Sequence, residues 1–71
     1  MIDTSVEGIR CRAAQEIRNN WGIVRPSTEG TIQYEIENIG RYLIRVHWDS
    51  GLSLNVSPGE IEIIDRDLLW Q

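Results

Sequence analysis

Three alternating segments, separated by two glycine-closed gaps, restrict this chain more than any other feature. Ile32, Tyr34 and Ile36 alternate with Gln33, Glu35 and Glu37. Tyr42, Ile44, Val46 and Trp48 alternate with Leu43, Arg45 and His47, and Leu52, Leu54 and Val56 alternate with Ser53, Asn55 and Ser57. A period of two describes strands with one apolar face and one polar face. Asn38-Ile39-Gly40 reads as a three-residue hairpin loop in which Gly40 supplies the left-handed residue. That loop sets Glu37 opposite Arg41, Ile36 opposite Tyr42, Tyr34 opposite Ile44 and Ile32 opposite Val46, so that apolar meets apolar. Asp49-Ser50-Gly51 has the same form and sets Trp48 opposite Leu52, Val46 opposite Leu54 and Ile44 opposite Val56.

The flanking segments complete an all-β reading. Ile9, Cys11 and Ala13 alternate with Arg10 and Arg12, which predicts a first strand with Cys11 facing inward. Met1 to Ser5 reads as a flexible terminus. Ala13 to Arg18 contains good helix formers, but the run is short and Asn19-Asn20-Trp21-Gly22 breaks it. With the turn-rich Arg25-Pro26-Ser27-Thr28-Glu29-Gly30, it is expected to form one long loop between the first strand and the sheet. Ser57-Pro58-Gly59-Glu60 predicts a tight turn, one turn of 3₁₀ helix. Ile61 to Ile64 predicts a last strand that pairs back with the first and closes a barrel. Residues 65–71 form a tail. The expected architecture is a single domain over residues 1–71, a small five-stranded SH3-like barrel with a long first loop.

Length and charge narrow the function. A chain of 71 residues buries only about 60% of its unfolded surface, leaving little material for both a core and a deep cleft. A binding or accessory role is therefore expected, not an enzyme. The net charge is −4, every basic residue is Arg, and residues 49–71 hold five acids against Arg66 alone. Phosphate backbones repel such a chain, and cation–phosphate attraction dominates non-specific binding, so nucleic acid is disfavoured as a partner. Cys11 is the only cysteine, so no internal disulfide forms, and a reducing, cytoplasmic location is expected. The start shows neither a basic region nor an apolar run of a signal peptide, and no apolar stretch approaches membrane-spanning length.

Glu29-Gly30-Thr31-Ile32, the hairpin Gly40, Val46-His47-Trp48-Asp49-Ser50-Gly51 and Pro58-Gly59-Glu60-Ile61 together resemble a layout that recurs in small bacterial SH3-like barrel families. Some of these are domains of unknown function. Others are accessory subunits of electron-transfer complexes, such as the PsaE-type subunits of photosystem I and the variable chain of ferredoxin–thioredoxin reductase. The resemblance covers about half of the chain and implies a fold, with Gly30, Thr31, Trp48, Gly51 and Glu60 in turns and packing. The aromatic-rich acidic loop of peptide-binding SH3 domains and the basic groove of nucleic-acid-binding relatives are both missing from this sequence.

Catalytic and metal chemistry lack a constellation. Cys11 points inward and His47 outward, so they do not make a nucleophile–base pair. One His and one Cys on opposite faces do not make a zinc site, and Glu60, Glu62 and Asp65 read as a solvated acidic edge. Glu35 and Glu37 lie on an open sheet face without a cleft to shift their pKa values. No metal or cofactor is expected. The polar sheet face is richer: Thr31 and Ser53 flank His47, Gln33 and Asn55 flank Arg45, and Glu37 faces Arg41. Trp and Arg are enriched at binding hot spots. The candidate partner-binding residues are therefore Trp21 and Arg25 with Arg18 in the first loop, Arg45 and His47 on the sheet, and Trp70 with Leu68 and Leu69 in the tail. The expected function is a non-catalytic protein-interaction module or accessory subunit, monomeric or weakly dimeric. The alternative is a nucleic-acid or ribonucleoprotein-associated barrel using Arg10, Arg12, Arg18, Arg25 and Arg41.

Overall fold

Alternating segments joined by glycine turns produce sheet throughout. The computed structural model describes residues 2–20 and 22–64. Its regular structure there is strand apart from one 3₁₀ turn: β1 (Ile2–Asp3), β2 (Arg10–Ala13), β3 (Ile17–Asn19), β4 (Gly22–Val24), β5 (Glu29–Asn38), β6 (Arg41–Trp48), β7 (Ser53–Val56), the 3₁₀ turn Pro58–Glu60, and β8 (Ile61–Ile63). The main sheet runs β7-β6-β5-β2-β8, with β1 added beside β5, while β3 and β4 form a separate hairpin. Among the described residues no helix is long and apolar enough to cross a membrane.

The core is Cys11, Ala13, Ile17, Val24, Ile32, Ile44, Val46, Trp48, Leu54, Val56 and Ile61. It holds the inward positions expected for β2, β7 and the second half of β6. Trp48 anchors it, fully buried. At the β6–β7 connection the Trp48 N–H donates to the Leu52 carbonyl at 2.7 Å and Gly51, at φ 105°, donates to the Trp48 carbonyl at 2.9 Å. The pairs Val46–Leu54 and Ile44–Val56 follow, as expected.

The barrel does not close. β8 does pair back with β2, joining Cys11 to Ile63 and Ala13 to Ile61. β7 and β8 nevertheless stand at opposite ends of the strand order. Pro58 has no N–H for a ladder, and the 3₁₀ turn that it opens carries the chain away from β7 toward β2. The turn is held by the Glu60 N–H on the Ser57 carbonyl at 2.9 Å, and by the Ser57 N–H on the Glu60 side chain at 2.8 Å.

Two segments expected to be irregular are strands. Ile2 and Asp3 pair with Ile36 and Glu35 instead of fraying. The long first loop carries the β3–β4 hairpin, with Ile17 opposite Val24 and Asn19 opposite Gly22. Ile17 and Val24 are both buried, at 5% and 1% exposure, so this hairpin folds its apolar end into the core; the helical alternative for residues 13–18 does not form.

The largest correction concerns β5 and β6. Ile32 faces Val46 as expected, but Tyr34 faces Arg45, Glu35 faces Ile44, Ile36 faces Leu43, Glu37 faces Tyr42 and Asn38 faces Arg41. Two linked changes cause this. The turn uses only Ile39 and Gly40, at φ 47° and 77°, a two-residue loop whose twist suits paired strands. Gln33 is then the extra residue of a bulge between Ile32 and Tyr34. Past the bulge the alternation of β5 inverts. Tyr34 and Ile36 join the outer face with Leu43, while Glu35 and Glu37 share the core-side face with Tyr42.

Ile39 is a β-branched residue in the left-handed region, which disfavours it, and it is 96% exposed. Ile39→Asn is therefore expected to stabilise the protein by about 1 kcal/mol, because strain is relieved and no packing is lost. Urea denaturation measures this. A three-residue loop would hold Ile39 in the right-handed region, and no gain from Asn would favour it.

Candidate docking face

The outer face of β5, β6 and β7 grades from polar to apolar. Its first row is Thr31, His47 and Ser53 and its second is Tyr34, Arg45 and Asn55. Its third is Ile2, Ile36 and Leu43. His47 Nδ1 and Ser53 Oγ share a hydrogen bond at 2.8 Å, and Arg45 Nη1 donates to Asn55 Oδ1 at 3.4 Å. Cross-strand pairs of this kind are each worth about 0.2–1 kcal/mol. Ile2 is 63% exposed, while Tyr34, Ile36 and Leu43 are half-buried.

Beside the second row lies a groove of about 540 Å³ lined by Asn19, Arg45, Ser53, Leu54 and Asn55. β3 supplies Asn19 from across the gap, and the β6–β7 hairpin supplies the rest. Arg45 and His47 thus stand together, as the sequence implied, flanked by Thr31, Ser53 and Asn55. Gln33 does not flank Arg45, because the bulge puts Tyr34 there, and Glu37 does not face Arg41. Arg25 is exposed in the turn between β4 and β5 and does not line the groove. Trp21 and Trp70, with Leu68, Leu69 and the acidic residue Asp65, lie outside the described residues. The sequence pattern does not single out Asn19, because a strand of three residues carries too little alternation to mark it, although Asn19-Asn20 ahead of Gly22 is itself a turn signal.

A second cluster ties β2 to β5 and to the turn between β6 and β7. Arg10 places both guanidinium nitrogens on Asp49, at 3.0 and 2.7 Å, and also donates to Thr31 Oγ1 at 2.8 Å and to Glu29 at 3.3 Å. The hydrogen bonds that Arg10 donates to Asp49 raise the Arg10 pKa, and Arg10 in turn holds the Asp49 carboxyl below its ordinary value. Arg12 pairs with Glu62 at 2.6 Å and Arg18 with Glu16 at 2.7 Å. Three of the five arginines considered for phosphate contacts are therefore already engaged by carboxylates. Glu35 and Glu37 line a pocket of about 70 Å³ with Asp3 and Tyr42, where the bond to Glu35 pushes the Tyr42 hydroxyl up to about 12. Among the described residues no group of three or more His, Cys, Asp or Glu is placed to hold a metal ion.

Cys11 is fully buried, and burial pushes its thiol up from 9.0 to about 11. The protonated form is inert. Unfolding lets the thiol ionise nearer 9, so stability is whole below that pH and falls as pH rises toward 11. Tyr42 acts in the same direction between 10 and 12. Urea midpoints measured between about pH 8 and 11 should fall, and fall less steeply in Cys11→Ala; equal slopes would rule out the thiol as a source of the pH dependence.

Comparisons with protein-family models, with curated proteins and with solved structures return no match.

Proposed function

We propose that this chain is a non-catalytic protein-interaction module of SH3-like build, an accessory subunit that docks a protein partner on the outer face of β5, β6 and β7. The strand order supports the SH3-like reading: β2 lies between β5 and β8, a hairpin occupies the first long connection, and a 3₁₀ turn precedes the last strand. The observation that carries the docking reading is the composition of the face. Arg45 and Tyr34 sit side by side, with neutral donors and acceptors above them and Ile2, Ile36 and Leu43 below. An apolar patch rimmed by polar groups is the make-up of a recognition surface. The engagement of Arg10, Arg12 and Arg18 by carboxylates weighs against the nucleic-acid alternative.

Affinity capture with the tagged full chain in extracts of its native host tests this reading. A specific partner should be retained by the wild type, and recovery should drop at least about tenfold for Arg45→Ala and for Leu43→Asp, the scale of a hot-spot loss. Equal recovery by both variants would overturn it. Salt-sensitive binding of mixed-sequence DNA or RNA at about 50 mM salt would favour the alternative instead.

A further inference from the structure

The free edge of β7 borders the groove, and its backbone is arranged to accept another strand. Antiparallel strands exchange their hydrogen bonds at every second residue pair. The bond from Trp48 to Leu52 fixes the phase. Val46–Leu54 and Ile44–Val56 are then the bonded pairs, and Ser53 and Asn55 turn their N–H and C=O groups away from β6. β7 ends the strand order, so among the described residues no strand meets those groups. Such an edge is a template for β-strand addition.

The side chains around the edge specify what would join it. Arg45 reaches over β7 as far as the Asn55 amide at 3.4 Å. Among the described residues that line the groove it carries the one formal charge; Asn19, Ser53, Leu54 and Asn55 are neutral. A carboxylate is the complementary group. The space of about 540 Å³ falls within the range of ligand sites.

We propose that the free edge of β7 binds an extended acidic peptide as an additional strand, its backbone on Ser53 and Asn55 and a carboxylate on Arg45. This deepens the docking-face reading and rests on it.

The test is an NMR titration of the ¹⁵N-labelled full chain with the blocked peptide Thr-Val-Thr-Asp-Val-Thr-Val-Thr. Amide signals of Ser53, Leu54 and Asn55 and the Asn19 side-chain amide should shift together. A peptide with Asn in place of Asp should bind at least about five times more weakly. Arg45→Gln should abolish that difference while leaving residual binding. Methylating alternate peptide nitrogens should remove binding, because the backbone donors are lost. No shifts up to about 1 mM peptide, equal affinity for the Asn peptide, or shifts confined to β8 would each overturn the proposal. So would β7 shifts that follow protein concentration without peptide, which would identify a second copy as the occupant. If the peptide fails while Arg45→Ala still abolishes partner capture, the docking face stands and strand addition alone falls.

Discussion

Trp48→Ala is expected to remove a large share of the chain's folding stability. Truncating a buried Trp to Ala costs about 3–5 kcal/mol. A chain of 71 residues holds only about 4–11 kcal/mol in total, at roughly 0.05–0.15 kcal/mol per residue. Trp48 is 0% exposed and lies at the centre of the core, in contact range of Gly30 on the neighbouring strand. Trp48→Phe separates packing from polarity. The indole Nε1 is buried without a hydrogen-bond partner among the described residues, and an orphaned donor costs about 1–3 kcal/mol. Phe removes that donor while keeping most of the ring, so its net cost should be under about 2 kcal/mol. Circular dichroism through a urea series reads both variants. A Phe variant as unstable as the Ala variant would show that the orphaned donor costs nothing.

Gly30→Ala is the second large effect, and a single methyl group causes it. A Cβ built at Gly30 would stand 2.7 Å from Val46 Cγ1, 2.9 Å from the His47 carbonyl oxygen and 2.9 Å from Trp48 Cε3. The carbonyl is backbone of the paired strand and the indole is wedged in the core, so neither gives way freely. Overpacking of this kind costs about 1–3 kcal/mol. Gly59→Ala is the control, since nothing lies within 4 Å of its added Cβ; it should stay within about 0.5 kcal/mol of the parent or gain slightly. A Gly30 variant as stable as the Gly59 variant would mean that β5 and β6 do not approach as closely as described.

Legibility followed the strength of local rules. The β6–β7 hairpin was readable residue by residue, because Asp49-Ser50-Gly51 and the alternation on both sides demand one register. The pairing of the last strand with the first, the 3₁₀ turn, the inward Cys11 and the pairing of His47 with Thr31 and Ser53 were readable for the same reason. The β5–β6 hairpin was not. Its pattern is satisfied equally well by apolar pairing through a three-residue loop, and nothing local announces a bulge at Gln33 or a strained Ile39. Of the candidate site, Arg45 and His47 were found from periodicity. Asn19 was not, because β3 and β4 are each only three residues long and acquire their strand character from docking Ile17 and Val24 in the core. Closure of the barrel was inferred from the joining of first and last strands, which does not by itself join the remaining two edges.

The bulge at Gln33 makes one ten-residue strand amphipathic in two opposite senses. Toward its start, Ile32 looks into the protein; toward its end, Ile36 looks out and Glu35 looks in. A strand paired regularly through Gln33 would turn Ile32, Tyr34 and Ile36 all inward and show Gln33, Glu35 and Glu37 to the outside. The greasy end of the exposed surface thus owes its existence to an irregularity one residue long: drawing Gln33 into the ladder would turn the tip of the hairpin over like a card, with the acids outward and Tyr34 and Ile36 hidden.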